Sequence, residues 1–317
     1  MNTSLFSTRH VSALSAQAGP PAPVGAERAL VLGGGGSAGN AWVIGVVAGL
    51  FEAGLDVTQA DLVIGTSAGS TAAVQLLSMS PVDLLAAILD APPPQRPGPG
   101  GPGGQGPGRP VVNHFERTTA IFAAATDPVD LRRRLGASAL ALDEAGDESV
   151  QGRWRATVAA RLPDRGWPDH RLFITAVDAV TGEPVIFDRD SGVDVVDAVA
   201  ASCSSGPPYG IGAGQFIDGG YRRSSENADL AAGYARVLVL SPLGGRSRAP
   251  MGWNMQLAAQ VDELRTGGSR VETILPDSAA LEAFGDNMMD LSRRAPAARA
   301  GYDQGRARSG PLAEFWR

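Results

Sequence analysis

The sequence predicts an α/β fold built around a mostly parallel sheet. Short apolar segments bounded by glycine alternate with longer apolar segments of helical length, and each early strand is followed by a helix. Strands of a parallel sheet are buried on both faces and read as short apolar runs, and a strand–helix–strand order implies right-handed crossovers. The 317 residues, 44% of them hydrophobic and 19% charged, suffice for a substantial globular core.

The first strands and helices are marked by the residues at their ends. Residues 29–32 form an apolar strand that ends in four glycines, and the helix over 41–52 is closed by Gly54, a residue typical of helix ends. A second strand over 62–64 leads into a helix over 70–79. A Ser-Pro-Val-Asp sequence then starts a third helix, with serine as cap, proline in the first turn and an acid near the positive helix end.

The later elements are predicted from the same patterns. A helix over 127–135 carries three consecutive arginines, a run typical of a solvated helix face. Apolar residues spaced three and four apart predict a helix around 255–264. The remaining predicted elements are strands at 172–177, 185–187, 237–240 and 271–275 and a short helix at 195–201.

Two segments lack the composition of regular structure. Residues 1–24 are rich in Ser, Ala and Pro without periodicity and are predicted to be a flexible N-terminal tail. Residues 91–110 hold 8 Pro and 7 Gly, which predicts a flexible surface insertion, with an ordered lid as the alternative. Because the chemistry described below draws on both sides of this insertion, residues 25–317 are predicted to be a single catalytic domain.

The composition excludes several classes of function. A net charge of −6 argues against nucleic-acid binding and against general electrostatic docking on anionic membranes. One Cys permits neither an internal disulfide nor a C-x-x-C metal site, and the absence of Lys excludes Schiff-base chemistry and a P-loop lysine. No segment has the length of a membrane span or the apolar core of a secretory signal, so we expect a cytoplasmic protein. Three His and one Cys are too few for a His-rich or C-x-x-C metal site.

The strongest catalytic motif is G-x-S-x-G, with Gly65 and Gly69 on either side of Ser67. It stands between a predicted strand and a predicted helix, which is the context of a nucleophile elbow. The flanking glycines permit a tight turn, and the following helix N-terminus favours anionic charge that develops beside Ser67 Oγ. The motif therefore predicts Ser67 as a nucleophile.

The glycine-rich run 33–39 allows two interpretations. Gly34, Gly36 and Gly39 satisfy the G-x-G-x-x-G pattern of nicotinamide-cofactor enzymes, and Asp56 stands near the expected acidic position. The same backbone amides could form an oxyanion hole for acyl transfer. Adjacent parallel strands place this run beside Ser67, and this juxtaposition favours acyl transfer.

The general base is predicted to be a carboxylate. A Ser-His-Asp hydrolase needs a histidine after its acid, whereas this chain has only His114 and His170 beyond Ser67, both expected to be solvated loop residues. Asp218 ends a short strand and precedes Gly219 and Gly220, which allow close backbone approach. A desolvated carboxylate with a raised pKa is able to take a serine proton directly.

Together these residues resemble the patatin-like phospholipases. The likeness rests on the glycine run 33–39, the 65–69 elbow and the 218–220 turn, and it extends to 27–317 through matches such as 176–178, 181–185, 200–203, 227–230 and 301–305. It implies a three-layer α/β/α fold and a lipid acyl hydrolase with a Ser-Asp dyad, no catalytic His, no metal and no cofactor.

The resemblance also implies a role for each motif residue. Ser67 would be the nucleophile, Asp218 its base, and the amides of Gly34, Gly35 and Gly36 the oxyanion hole. The chain departs from the family at Ala38, where many members carry Arg or Lys, which leaves open a catalytically weak lipid-binding or regulatory protein. The expected partner is a lipid or another acyl ester, met through transient membrane contact at most, and the oligomeric state is not predicted.

Overall fold

The structure is a computed structural model that describes residues 22–92, 114–142 and 148–317. Its described strands are β1 (Arg28–Leu32), β2 (Leu62–Gly65), β3 (Leu172–Asp178), β4 (Pro184–Phe187), β5 (Tyr209–Ile211), β6 (Gly214–Asp218), β7 (Arg236–Leu240) and β8 (Arg270–Ile274). The described α-helices are α1 (Gly36–Glu52), α2 (Ala68–Ser78), α3 (Pro81–Leu89), α4 (His114–Ala124), α5 (Pro128–Leu140), α6 (Glu148–Ala159), α7 (Val195–Ser202), α8 (Leu257–Thr266), α9 (Ser278–Phe284) and α10 (Arg294–Trp316).

One mixed sheet organises these elements. Its strand order is β5-β6-β3-β2-β1-β7-β8, and β4 also pairs with β3. The five strands from β3 to β8 in this order are parallel, whereas β6 and β4 run antiparallel to β3 and β5 runs antiparallel to β6. The predicted α/β fold with a mostly parallel central sheet is thereby confirmed.

Helices cover both faces of the sheet. In β1, Leu30 and Leu32 pack into one apolar cluster with α1, while Ala29 and Val31 pack into another cluster with α8. Successive side chains of a strand point to opposite faces, so a strand buried on both sides is apolar at every position. This arrangement makes three layers and explains why the parallel strands read as uninterrupted apolar runs.

Helices α1 and α10 pack at backbone distance. A methyl group added at Gly45 would lie 2.1 Å from the carbonyl oxygen of Ala298, and one at Gly301 would lie 2.3 Å from that of Trp42. The same reciprocal approach recurs one turn further along at Gly49 and Gly305. Since no larger side chain fits these positions, α10 is held against α1 and fixes the helix that carries the glycine-rich loop.

The observed elements extend or add to the predicted ones. Helix α1 begins at Gly36, five residues before the predicted start at 41, because Ser37 and Ala38 are small enough to lie buried in a helical turn that carries no apolar periodicity. The patterns did not predict α4, α6, α9, α10 or β5. The arginine run on α5 was expected to be solvated, but Arg132 is 6% exposed and donates from Nε to the Gly182 carbonyl oxygen.

Two sequence-based expectations concern residues that are largely outside the described ranges. The predicted tail lies outside them except for 22–24, and the proline- and glycine-rich insertion lies outside them except for 91–92. Within the described residues, no single helix has the length and apolar character of a membrane span; α2 and α3 pass such a test only as a pair bent by 119°.

Candidate active site

Ser67 occupies a strained turn between β2 and α2. Its backbone has φ 52° and ψ −123°, a region that residues with a side chain rarely adopt. The turn closes only with glycine beside it, because a methyl group at Gly69 would lie 2.0 Å from the Leu32 carbonyl oxygen. A methyl group at Gly65 would meet the backbone of Ser70 at 2.5 Å. These contacts place Ser67 at the N-terminus of α2, at the carboxyl edge of the sheet.

The sheet register brings Asp218 level with Ser67. Gly65 pairs with Ile174 on β3, and Ala176, two residues further along β3, pairs with Asp218 at the end of the antiparallel β6. Ser67 Oγ donates a hydrogen bond of 2.8 Å to Asp218 Oδ2. The two residues that the sequence singled out as nucleophile and base are therefore in direct contact.

The Asp218 carboxylate is buried and only partly stabilised. Its exposed fraction is 8%, and it accepts one backbone hydrogen bond from the Gly220 N–H besides the bond from Ser67. Burial raises the pKa of Asp218 to about 6, against the lowering effect of these two hydrogen bonds. At neutral pH the group is mostly ionised and is far more basic than an exposed aspartate.

One asparagine links the two halves of the site. The Asn227 side-chain amide donates to Thr66 Oγ1 at 3.0 Å, to Thr175 Oγ1 at 3.2 Å and to the Gly219 carbonyl oxygen at 2.9 Å. Thr66 precedes Ser67 and Gly219 follows Asp218, so this fully buried group joins the elbow to the aspartate turn. Asn227 has φ 53°, a left-handed conformation that asparagine tolerates better than most residues.

The glycine-rich loop offers two free amides beside Ser67. Gly34, Gly35 and Gly36 all line the cavity that contains Ser67, but the Gly34 N–H donates to the Ser225 carbonyl oxygen at 2.8 Å. Among the described residues, the N–H groups of Gly35 and Gly36 have no hydrogen-bond partner, as expected at a helix N-terminus. Gly39 donates back to the Gly35 carbonyl oxygen and closes the loop.

A buried carboxylate holds the segment against which the loop rests. Glu226 is fully buried and accepts hydrogen bonds of 2.6 Å from the hydroxyl groups of Ser224, Ser225 and Ser241. These bonds fix the Ser225 backbone, whose carbonyl oxygen receives the Gly34 N–H. The position of the glycine-rich loop thus depends on a satisfied polar network beneath it.

Ser67 and Asp218 line a cavity of about 1050 Å³. Its walls carry apolar side chains, among them Phe122, Leu131, Leu243, Met255 and Met288. In the described ranges, no group of three or more His, Cys, Asp or Glu residues is arranged to hold a metal ion. The space suits an apolar group that extends away from the serine.

A family model described as Patatin-like phospholipase matches residues 30–232, which is more than half of the chain. The matched range includes the glycine-rich loop, Ser67 and Asp218. The chain belongs to the patatin-like phospholipase family. The resemblance drawn from the motifs is thereby confirmed, and membership supports lipid acyl hydrolysis at the level of the family.

Two solved structures that are similar to this chain are distant from it in sequence. VipD from Legionella pneumophila is 14% identical, with a TM-score of 0.41, and the match covers 93% of this chain and 68% of VipD. The type III effector protein ExoU is 17% identical, with a TM-score of 0.35, and the match covers 90% of this chain and 54% of ExoU. No curated protein matches the chain.

Ala38, the position at which the sequence was expected to depart from the family, is fully buried. Its N–H donates to the Met288 carbonyl oxygen at 2.9 Å, so the segment before α10 packs on this position.

The acidic residue that a nicotinamide-cofactor enzyme would need for the ribose lies far from the glycine run. Asp56 follows α1 and precedes β2, at the sheet edge opposite the glycines, where it accepts the Thr58 N–H.

Among the side chains that the structure describes, neither His170 nor Cys203 is placed to act as acid or base in the dyad. His170 precedes β3 whereas Ser67 follows the parallel β2, so the two lie at opposite sheet edges. His114 begins α4, but its side chain and all of His10 lie outside what the structure describes. Cys203 lines the cavity, and burial, reinforced by the nearby Asp218 charge, raises its thiol pKa to about 11, which keeps it protonated.

Several residues that shape the site carried no functional signal in the sequence. Asn227 lies in one of the segments that resemble the family, but no pattern assigned it a role. Its position could be recognised only once β3, the elbow and the aspartate turn were adjacent. Two cavity arginines also escaped the sequence patterns: Arg161 lies two residues after α6 and Arg294 is the first residue of α10, and neither helix was predicted.

Proposed function

We propose that this protein hydrolyses carboxylic esters of lipids with a Ser67–Asp218 dyad through an acyl-enzyme. The observation that carries the proposal is the 2.8 Å hydrogen bond from Ser67 Oγ to a buried carboxylate, within a large apolar cavity. A serine bonded to a carboxylate of raised pKa has the proton acceptor that an alcohol nucleophile needs.

Acylation follows from this geometry. Ser67 Oγ attacks the ester carbonyl carbon while its proton passes to Asp218 Oδ2. The negative charge that develops on the carbonyl oxygen is stabilised by the free amides of Gly35 and Gly36 and by the positive end of α1. Asp218 then gives its proton to the departing alkoxide, the carbon–oxygen bond breaks, and the acyl group remains on Ser67.

Deacylation repeats the same steps with water. Asp218 removes a proton from a water molecule, whose oxygen attacks the acyl carbon against the same two amides. The proton returns to Ser67 Oγ as the acyl–serine bond breaks, and the fatty acid leaves. No imidazole is required because one carboxylate acts as base in each half and as acid when each tetrahedral intermediate collapses.

The apolar cavity favours a lipid acyl chain over a small soluble ester. Met289 and Leu291 line the cavity and are 65% and 51% exposed, so the apolar lining continues to the surface. An acyl chain could therefore pass from a lipid aggregate into the cavity without crossing a polar rim at this side. Transient contact with a lipid surface is part of the proposal.

The decisive experiment combines ester turnover with active-site labelling. The purified protein should hydrolyse p-nitrophenyl butyrate and react with a fluorophosphonate probe, and Ser67→Ala should lower kcat by ~10³ or more and abolish labelling. Ser309→Ala, a hydroxyl deletion at a half-buried position of α10 outside the cavity, is the matched control and should behave as wild type. Full turnover by Ser67→Ala would refute the dyad, and absence of both turnover and labelling in wild type would leave a lipid-binding protein.

A further inference from the structure

The active-site cavity is electropositive although the protein is acidic. The chain carries a net charge of −6, but the charged cavity residues are five arginines and a single carboxylate, Asp218. One of these arginines, Arg223, is neutralised by Glu263 and Asp229. In the part of the chain that the structure describes, Arg161 and Arg294 have no carboxylate within 4.0 Å.

A chain of buried amide side chains connects these two arginines. Arg294 Nη1 donates to Asn40 Oδ1 at 3.0 Å, and Asn40 Nδ2 donates to Gln75 Oε1 at 3.0 Å. Gln75 Nε2 in turn donates to the Arg161 carbonyl oxygen at 2.8 Å. Asn40 and Gln75 are only 4% and 7% exposed, so the connection is built inside the protein between α1 and α2.

The two guanidinium groups differ in exposure, since Arg294 is half-buried and Arg161 is exposed. Burial, together with repulsion by Arg161, lowers the pKa of the Arg294 guanidinium. A partly buried guanidinium without a carboxylate partner gains from an anion that enters the cavity beside it. Here both face the cavity, and Arg161 also lies over the Trp154 ring, with 5.7 Å between the guanidinium carbon and the ring centroid. An anion bound between them would remove the repulsion.

Arg294 also reaches the first turn of α1, directly after the four consecutive glycines. It donates to the Ser37 carbonyl oxygen at 3.3 Å and to Asn40, the residues on either side of Ala38 and Gly39. Asn40 also donates to the Ala68 carbonyl oxygen at 3.4 Å, directly after the nucleophile. Arg294, the first residue of α10, therefore places a positive charge beside the glycine-rich loop, which has no basic side chain of its own.

We propose that Arg161 and Arg294 form a subsite for the phosphate group of the ester substrate, so that the protein selects anionic phospholipids over neutral glycerides. This proposal rests on the proposed ester hydrolysis, since it assigns the headgroup of the same substrate. A guanidinium presents paired N–H donors to phosphate oxygens, and such charge-assisted bonds discriminate strongly against a neutral group.

The test measures binding in the Ser67→Ala protein, so that its result does not depend on turnover. Isothermal titration calorimetry compares dihexanoyl phosphatidate, dihexanoylglycerol and inorganic phosphate, all below their aggregation limits. We expect phosphatidate to bind roughly tenfold or more tightly than the glyceride, and Arg294→Gln and Arg161→Gln each to remove about tenfold of that affinity. Arg299→Gln, exposed on the same helix and outside the cavity, should leave it within about twofold.

Each outcome bears on the proposal. Equal affinity for phosphatidate and glyceride, or unchanged phosphatidate affinity in both cavity variants, would overturn it. Inorganic phosphate binding as tightly as phosphatidate, and lost in the same variants, supports the anion subsite but assigns it to free phosphate. Retained phosphatidate selectivity without wild-type ester turnover would refute only the proposed hydrolysis, whereas turnover of p-nitrophenyl butyrate without selectivity would refute only the subsite.

Discussion

The backbone N–H of Gly220 donates to Asp218 Oδ1 at 2.8 Å and leaves Oδ2 to Ser67. One carboxylate oxygen is thus occupied by the main chain of its own turn, while the other faces the nucleophile. In a Ser-His-Asp site an aspartate orients the histidine that acts as base. Here a peptide N–H orients the carboxylate itself, and burial supplies the basicity that an imidazole would otherwise provide.

The pH dependence of catalysis should report Asp218. Because the base must be ionised and burial raises its pKa to about 6, we expect kcat/KM to be constant above about pH 7. Below pH 6 it should fall about tenfold per pH unit. The profile of p-nitrophenyl butyrate hydrolysis checks this, and an inflection near the ordinary carboxyl value of 3.8 would contradict it.

A histidine would titrate in a similar range, so the profile needs a control. Replacing His10, His114 and His170 together by glutamine should leave the inflection near pH 6 and most of the rate unchanged. Loss of more than ~10³ in rate would instead reinstate a histidine-dependent triad.

Asp218→Asn should inactivate the protein and stabilise it at neutral pH. The folded-state pKa of about 6 exceeds the ordinary 3.8, so the native state binds the proton more tightly and the ionised group destabilises the fold. This penalty is absent near pH 4, grows as pH rises to 6 and is complete above it. We therefore expect the variant to gain about 1–3 kcal/mol in unfolding free energy at pH 8 and almost nothing at pH 4.

Chemical denaturation at the two pH values measures this difference. Asp290→Asn is a suitable comparison, because the backbone hydrogen bond from Ser292 lowers the pKa of Asp290 instead of raising it. A loss of stability at pH 8 in Asp218→Asn would show that the buried charge does not strain the fold.

Asn227→Ala should reduce turnover as well as stability. It removes the donor that joins Thr66, Thr175 and Gly219, so the elbow and the aspartate turn lose their shared anchor. We expect kcat to fall by ~10-fold or more with little change in KM, because misplacement affects the reacting groups more than substrate binding. Steady-state kinetics and the thermal midpoint are the measurements.

Asn254→Ala separates this effect from backbone strain. Asn254 shares the left-handed backbone, with φ 53°, but is exposed and does not line the cavity that contains the dyad. Its replacement should cost a similar strain of about 1 kcal/mol and leave kcat unchanged. Equal kinetic losses in the two variants would remove the positioning role of Asn227.

Gly36→Ala should impair transition-state stabilisation. Gly36 has φ +62°, and a methyl group there would lie 2.8 Å from Met289 Sδ and 2.9 Å from the Met288 carbonyl oxygen, so the first turn of α1 must shift. We expect kcat to fall ~10²-fold or more, as when one oxyanion donor is lost. Gly152→Ala, in open space on α6, is the neutral control; unimpaired kcat in Gly36→Ala would exclude the loop as the oxyanion hole.

The parts of the fold that depend on strong local patterns could be predicted. The buried strands β1, β2 and β7 contain uninterrupted apolar runs, preceded by a single arginine in β1 and in β7. The elbow requires glycines, which can be recognised directly in the sequence. Helix α10 could not be predicted, because it contacts α1 through Ala and Gly and has no apolar stripe of helical period. The hydrogen bond between Asn40 and Gln75 could not be predicted either, because it depends on how α1 and α2 pack against each other.

The sequence by itself determined the chemistry that is available: a serine in a glycine elbow, an aspartate in a glycine turn, and no histidine in the chain after residue 170. Only the tertiary structure decided that Ser67 and Asp218, 151 residues apart, form a hydrogen bond. It also decided that Gly34 is already engaged while Gly35 and Gly36 are free. The physical reason is that residue types fix which groups can react, whereas distances, burial and hydrogen-bond partners arise from the pairing of strands and helices remote in sequence.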